Sequence, residues 1–279
     1  MDKRINCQPY TSLFDIGRSS IDGRTMQNYI EWLKATLKIF PNLIVFHDGS
    51  CDSLNLEYSN FVKISKDNLD TFKLKDQVSQ ILNSFRPISS GDITFKLVEY
   101  SLVQYAKFEL GEKVLEISDC SSVLWIDAGI SRFIKSPRFQ MLEVNVENLL
   151  KYQTKMVLEI DIRNNFNWRN LSIETSMVGS CRRVISGTSF WINSDFLIEL
   201  NILIRSRLLG WIRAGIWDNE QVLLRNLLPL DENICYIPQI YQSTGSVARK
   251  LSSEKLVLRP WLNHLIDGSI SRGNLQFEG

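Results

Sequence analysis

Apolar positions in the first half of the chain follow two alternating rhythms. Short unbroken apolar runs, "YTSLFDI", "PNLIVFHD", "FVKIS" and "SSVLWID", read as strands. Between them the spacing turns helical. In "TMQNYIEWLKATLKIF", Met26, Tyr29, Ile30, Leu33, Leu37 and Phe40 recur every three or four residues and mark one helix face. "LKDQVSQILNSF" and "TFKLVEYSLVQYAKFEL" read as two further helices, the second including Lys96. Strands separated by helices predict a mostly parallel sheet covered on both faces.

After residue 140 the rhythm changes. "MVLEIDIRN" and "CRRVISGTSFWI" read as strands, and "SDFLIELNILIRSRLLGWI" reads as a helix with Ser194 as its N-cap. "DNEQVLLRNLL" is a second helix with acids in its first turn, and "NICYIP" is a late strand stopped by Pro238. No linker separates the parts. The expectation is a single domain over 1–279, in which a half over 1–135 and a half over 136–279 share one continuous sheet.

Composition narrows the function classes. The chain has 279 residues, and at 44% hydrophobic it can bury a sizeable core. A formal net charge of +1 gives no electrostatic case for nucleic acid as a partner. The five cysteines are widely spaced without a CxxC pair, so neither a zinc site nor a disulfide framework is expected, and a reducing cytoplasm is the better setting. "MDKRINCQPY" lacks the apolar core of a signal peptide, and no uncharged run approaches the roughly 20 apolar residues of a membrane span. The segment 194–212, rich in Leu and Ile and followed by Arg213, is expected to pack in the core; peripheral contact with a membrane is the alternative.

The candidate chemistry sits at strand ends, where open α/β sheets bind ligands. "LFDIGR" places Asp15, Gly17 and Arg18 after the first strand, and "LWIDAGISR" places Asp127, Gly129 and Arg132 after the fourth. A glycine permits close backbone approach or positive φ, and an arginine offers a fork for phosphate. The acid can hold a divalent cation or a ribose hydroxyl. The same residues also make ordinary turns, and spacing alone leaves the two readings open. No GxGxxG follows a strand and no GxxxxGK[ST] occurs, which disfavours nicotinamide and P-loop sites. Only His47 and His264 are present: His47 in "FHDGS" reads as a turn or surface residue, and a pair so far apart does not make a zinc enzyme.

Taken in order, "TSLFDIGR", "ITFKLVEYSLVQYA", "LWIDAGISRF", "ISGTSFWI" and "DNEQVLL" resemble the bacterial WlaTC/HtrL (YibB-like) family, assigned to glycosyltransferases of the A-type fold. The resemblance implies a Rossmann-like α/β fold whose mostly parallel central sheet, flanked by helices, continues into a smaller C-terminal half. The 1–135 half would bind a nucleotide sugar and the 136–279 half a glycan or lipid-linked acceptor, in surface polysaccharide synthesis. Asp15, Gly17, Arg18, Lys96, Asp127 and Gly129 would then contact the donor. Gly187, Thr188 and Trp191 would lie on the acceptor side; their alternative is a β-bulge with core aromatics.

In A-type enzymes a D-x-D segment holds Mn²⁺ or Mg²⁺ on the diphosphate. Here the matching triplet is Asp127-Ala128-Gly129, so one acid is retained, and His264 is a possible late ligand. Asp218 or Glu220 would be the general base of an inverting reaction, with helix capping as the alternative role. Two other functions share this logic: a nucleotidyltransferase making a sugar nucleotide, and a non-catalytic sugar- or nucleotide-binding protein.

Overall fold

The apolar runs of the first half become four parallel strands: β1 (Cys7–Leu13), β2 (Ile44–His47), β3 (Phe61–Lys63) and β4 (Ser122–Ile126). The structure is a computed structural model that describes residues 7–54, 60–87, 90–133, 153–160, 178, 185–228, 233–238, 240–241 and 257–258. β1 lies between β2 and β4, and β2 pairs with β3. β6 (Ile185–Asn193) runs antiparallel to β4 and to β5 (Met156–Ile160), and β5 is parallel to β7 (Ile234–Pro238). One seven-stranded sheet results, in the order β3-β2-β1-β4-β6-β5-β7. Parallel pairings outnumber antiparallel ones, as the alternating rhythm predicts. A two-residue pair, β8 (Ile240–Tyr241) and β9 (Val257–Leu258), stands apart.

Helices cover both faces. After the short α1 (Ser19–Asp22), α2 (Met26–Ile39) opens on a capping box in which Thr25 and Asn28 satisfy each other's backbone N–H groups. Leu33 and Leu37 of α2 pack with Leu124, Ile126, Val157 and Trp191 on one face. Helices α3 (Lys75–Ser84), α4 (Val98–Ile117), α5 (Ser194–Ala214) and α6 (Glu220–Leu227) cover the other, against Tyr10, Val123, Trp125, Leu158 and Phe190. Successive residues of β4 thus bury on opposite faces, which is why its sequence is continuously apolar and not alternating.

Three local expectations are corrected. β1 begins at Cys7 and not at Tyr10: Pro9 pairs only with Leu124 of β4, and the β2 ladder starts one residue later, so the missing N–H is tolerated. The N-cap of α5 is Asn193, whose Oδ1 accepts from Phe196 N at 2.8 Å, and Ser194 is the first helical residue. His47 is neither in a turn nor on the surface. It ends β2 fully buried, edge-on to Phe61, and burial holds its imidazole below the ordinary histidine range. Among the described residues no helix is long and apolar enough to cross a membrane. The face of α5 that does not enter the core exposes Ile198, Ile202, Leu203 and Leu209.

Candidate functional site

From β1 the chain steps outward to β2 and β3, then returns past β1 to β4. Strand order reverses between β1 and β4. Such a reversal opens a crevice at the carboxyl ends of parallel strands, because the flanking connections leave in opposite directions. Both strand-end motifs start at this edge. Phe14 to Arg18 follow β1, and Asp127 to Gly129 follow β4.

The first loop is tightly organised. Asp15 is exposed, and its Oδ1 accepts from Gly17 N at 3.0 Å. Gly17 has φ of 69°, a left-handed conformation that a side chain would strain. Arg18 pairs with Asp22 at 2.8 Å, and its guanidinium lies over the rings of Tyr100 at 4.7 Å and Tyr29 at 5.9 Å. The Asp15 backbone is held at both ends: its N–H donates to Asp48 Oδ2 at 3.2 Å, and its carbonyl accepts from Lys66 Nζ at 2.6 Å. Lys96 is exposed. It follows the 3₁₀ turn Ile93–Phe95 and precedes α4, so it is not on that helix as expected.

The second loop is an Asx turn. Asp127 N donates to Thr188 O at 2.8 Å, its Oδ1 accepts from Gly129 N at 2.8 Å, and its carbonyl accepts from Ile130 N at 2.9 Å. Arg132 serves the turn, donating from Nε to Gly129 O at 3.0 Å and stacking over Trp32 at 4.1 Å. Turn and site are not exclusive here. The turn uses one carboxylate oxygen, and a carboxylate has further lone pairs to offer. Asp127 can therefore supply one ligand to Mn²⁺ or Mg²⁺, which often take one or two carboxylates and complete their shells with phosphate and water. Among the described residues no three acids, histidines or cysteines form a metal cluster, and His264 lies outside them.

Behind the second loop, β6 loses register with β5: Leu158 pairs with Phe190 but Glu159 with Ser186, leaving Gly187, Thr188 and Ser189 as an irregularity. Lys107 of α4 fills the space beneath it. Its Nζ donates to Gly187 O and to Glu220 Oε1, both at 2.8 Å, in a buried ion pair. Thr188 hydrogen bonds with Ser186 at 2.7 Å. A Cβ on Gly187 would collide with the Glu220 carboxylate and lie 3.0 Å from Lys107 Nζ. Gly187→Ala is accordingly expected to lower stability by about 1–3 kcal/mol, the usual cost of overpacking, with the loss read in a thermal melt. An unchanged melting temperature would show that this pair can step aside.

The acids at α6 are not where an open acceptor site would want them. Asp218 and Glu220 are buried, at 0% and 1% exposure. Asp218 Oδ1 accepts from Asn219 N, its carbonyl accepts from Tyr105 Oη, and Asn219 caps the helix by accepting from Gln221 N and Val222 N. Glu220 Oε2 and Asn219 Nδ2 are buried and have no hydrogen-bond partner among the described residues. Trp191 is fully buried against the α2 side of the sheet, so its indole belongs to the core and not to an acceptor surface. Phe190 and Trp191 match the bulge-with-core-aromatics alternative.

Cys51, in the turn after β2, is fully buried, and burial pushes its thiol up to about 12, away from the thiolate a nucleophile needs. Sequence reasoning missed Asp48, Lys66, Glu99 and Lys107. Asp48 had a signal: "FHDGS" repeats the strand-end acid-then-glycine pattern of the two chosen motifs. The other three acquire meaning only from partners on distant elements.

No family model matches the chain, and no curated protein matches it. Comparison with solved structures finds distant matches. An active-site mutant of LgtC has 12% identity and a TM-score of 0.42, covering 88% of this chain and 79% of its own. A cysteine-to-serine double mutant described as a transferase has 13% identity and a TM-score of 0.34, covering 93% and 95%. Likenesses this loose bear on neither substrate nor reaction, and the chemical reading rests on the residues of this chain.

Proposed function

We propose that this protein is a glycosyltransferase that moves a sugar from a nucleotide-sugar donor to a glycan or lipid-linked acceptor. The observation that carries the reading is the placement of two acid–glycine loops on either side of the strand-order reversal between β1 and β4. That crevice suits a nucleoside diphosphate, with Asp15 and Arg18 toward the nucleotide and Asp127 toward the diphosphate. Sugar transfer breaks the bond from the anomeric carbon to the diphosphate, and negative charge grows on the leaving phosphate. Groups that meet this charge lower the barrier because they bind the transition state more strongly than the ground state. A bound Mn²⁺ or Mg²⁺, held by Asp127 and the phosphates, would add cationic charge at that point. Arg18 and Lys96 are the proposed cationic side chains for that charge.

One observation favours a second reading, a non-catalytic nucleotide- or sugar-binding protein: the proposed bases Asp218 and Glu220 are buried and engaged. Incubation with a panel of nucleotide sugars, with and without Mn²⁺, separates the two. Release of nucleoside diphosphate supports transfer. Binding without turnover across donors and glycan acceptors supports the binding module. Release of pyrophosphate from a nucleoside triphosphate and a sugar phosphate would instead indicate a nucleotidyltransferase.

A further inference from the structure

Lys66, which belongs to neither motif, ties three separate elements together at the crevice. It stands in a 3₁₀ turn, Lys66–Asn68, just after β3. Its ammonium donates to Asp15 O at 2.6 Å and to Glu99 Oε2 at 3.1 Å, and lies 3.4 Å from Asp48 Oδ2. An ammonium has three N–H donors, and three acceptors from three different elements surround this one. Asp15 comes from the loop after β1, Asp48 from the loop after β2, and Glu99 from the first turn of α4. Asp48 closes the circuit, because its Oδ2 also accepts from Asp15 N. Both polar groups of the Asp15 backbone are therefore held by side chains rooted at neighbouring strand ends. Ser50 adds a further tie, donating from Oγ to Leu13 O at 3.1 Å.

The other end of the same loop is held by the adjacent residue of α4. Tyr100, next to Glu99, lies under the Arg18 guanidinium. Two neighbouring helical residues thus brace the loop at both ends, Glu99 through Lys66 and Tyr100 directly. The Asp15 carboxylate stays exposed.

We infer that Lys66 is a positioning residue that locks the Asp15–Arg18 loop in the shape that receives the nucleoside diphosphate, so that donor affinity depends on it while the chemical step does not. The inference rests on the glycosyltransferase reading and deepens it. A bound loop that is already ordered loses less entropy when it meets its ligand, and this gain appears in binding. Removing an interaction made equally in ground and transition states raises KM and leaves kcat alone. Removing a charge-assisted hydrogen bond loosens the loop locally, and a part of that loss reaches the ligand.

The test uses the full chain with Lys66→Met, Lys66→Arg and Glu99→Gln. Affinities for uridine, guanosine, cytidine, thymidine and adenosine diphosphates are measured by calorimetry with MnCl₂ present, and kcat and KM are measured with the matching nucleotide sugar. Lys66→Met is expected to weaken the preferred diphosphate and raise KM by about tenfold, with kcat within about twofold. Lys66→Arg keeps the charge and should recover most of the affinity; Glu99→Gln should give a smaller loss. Lys66 is partly exposed, and thermal melts show whether each variant is folded. A lower melting temperature with unchanged diphosphate affinity would make Lys66 purely structural and overturn the inference. So would a fall in kcat at constant KM. If the unaltered protein binds no diphosphate and consumes no donor, the glycosyltransferase reading fails and the inference goes with it. That outcome is distinct from a normal parent with a normal Lys66→Met.

Discussion

Asp127→Ala is expected to reduce donor turnover by about 100–1000-fold, the range seen when a group that stabilises transition-state charge is lost. Part of this loss would come from the turn, because Asp127 Oδ1 also holds Gly129 N. Asp127→Asn separates the contributions: an amide oxygen can still accept from Gly129, but it carries no charge for a cation. If charge is what matters, the asparagine variant should be nearly as inactive as the alanine one while melting like the parent. An asparagine variant with full turnover would remove Asp127 from the reaction and leave it as a turn residue. The comparison is made with saturating donor, by initial rate and by nucleoside diphosphate released.

Lys107→Met should have the largest effect on stability. The ammonium is buried with Glu220 and Gly187 O, so its removal leaves a carboxylate in the core without its cation. Breaking one side of a buried pair costs about 3–5 kcal/mol. At roughly 2–4 °C per kcal/mol for chains of comparable size, the melting temperature should fall by about 10 °C. Lys107→Met/Glu220→Gln removes both charges and should recover much of that loss. A single variant melting within about 2 °C of the parent would show that Glu220 finds another partner or takes up a proton. The site should feel the change as well. Gly187 O loses its donor, and the next residue, Thr188, provides the acceptor for Asp127 N.

Elements with strong local signals were legible in the sequence. The Leu33–Leu37 spacing of α2, the apolar run of β4 and the strand-end acids Asp15 and Asp127 lie where the pattern places them. Boundaries set by competing caps were not. Asn193 and Ser194 are both good N-caps, and only the chain's exit from β6 decides between them. The apolar spacing around Lys96 predicts a helix, yet Asp92 caps a separate 3₁₀ turn ahead of α4. The supporting residues of the site were the least legible. Lys66 looks like any lysine in a polar stretch, and Lys107, between Ala106 and Phe108, carries no sign of its partners. Their acceptors, on the loops after β1 and β2 and on α4, β6 and α6, become neighbours only through strand order, and spacing along the chain does not encode it. Glu220 illustrates the converse. Its position in the first turn of a helix was legible, but its burial against Lys107 was not.

The pairing of β4 with β6 has a consequence for how the protein reaches this state. Asp127 is fixed through Thr188, which arrives much later in the chain, so the acid loop is set only after a long loop has closed. Until then β4 is an open edge: an unbroken apolar strand with unpaired N–H and C=O groups along one side, the kind of surface that invites another chain to pair. The antiparallel return of β6 therefore seals the first half of the sheet against self-association in the same step that completes the crevice.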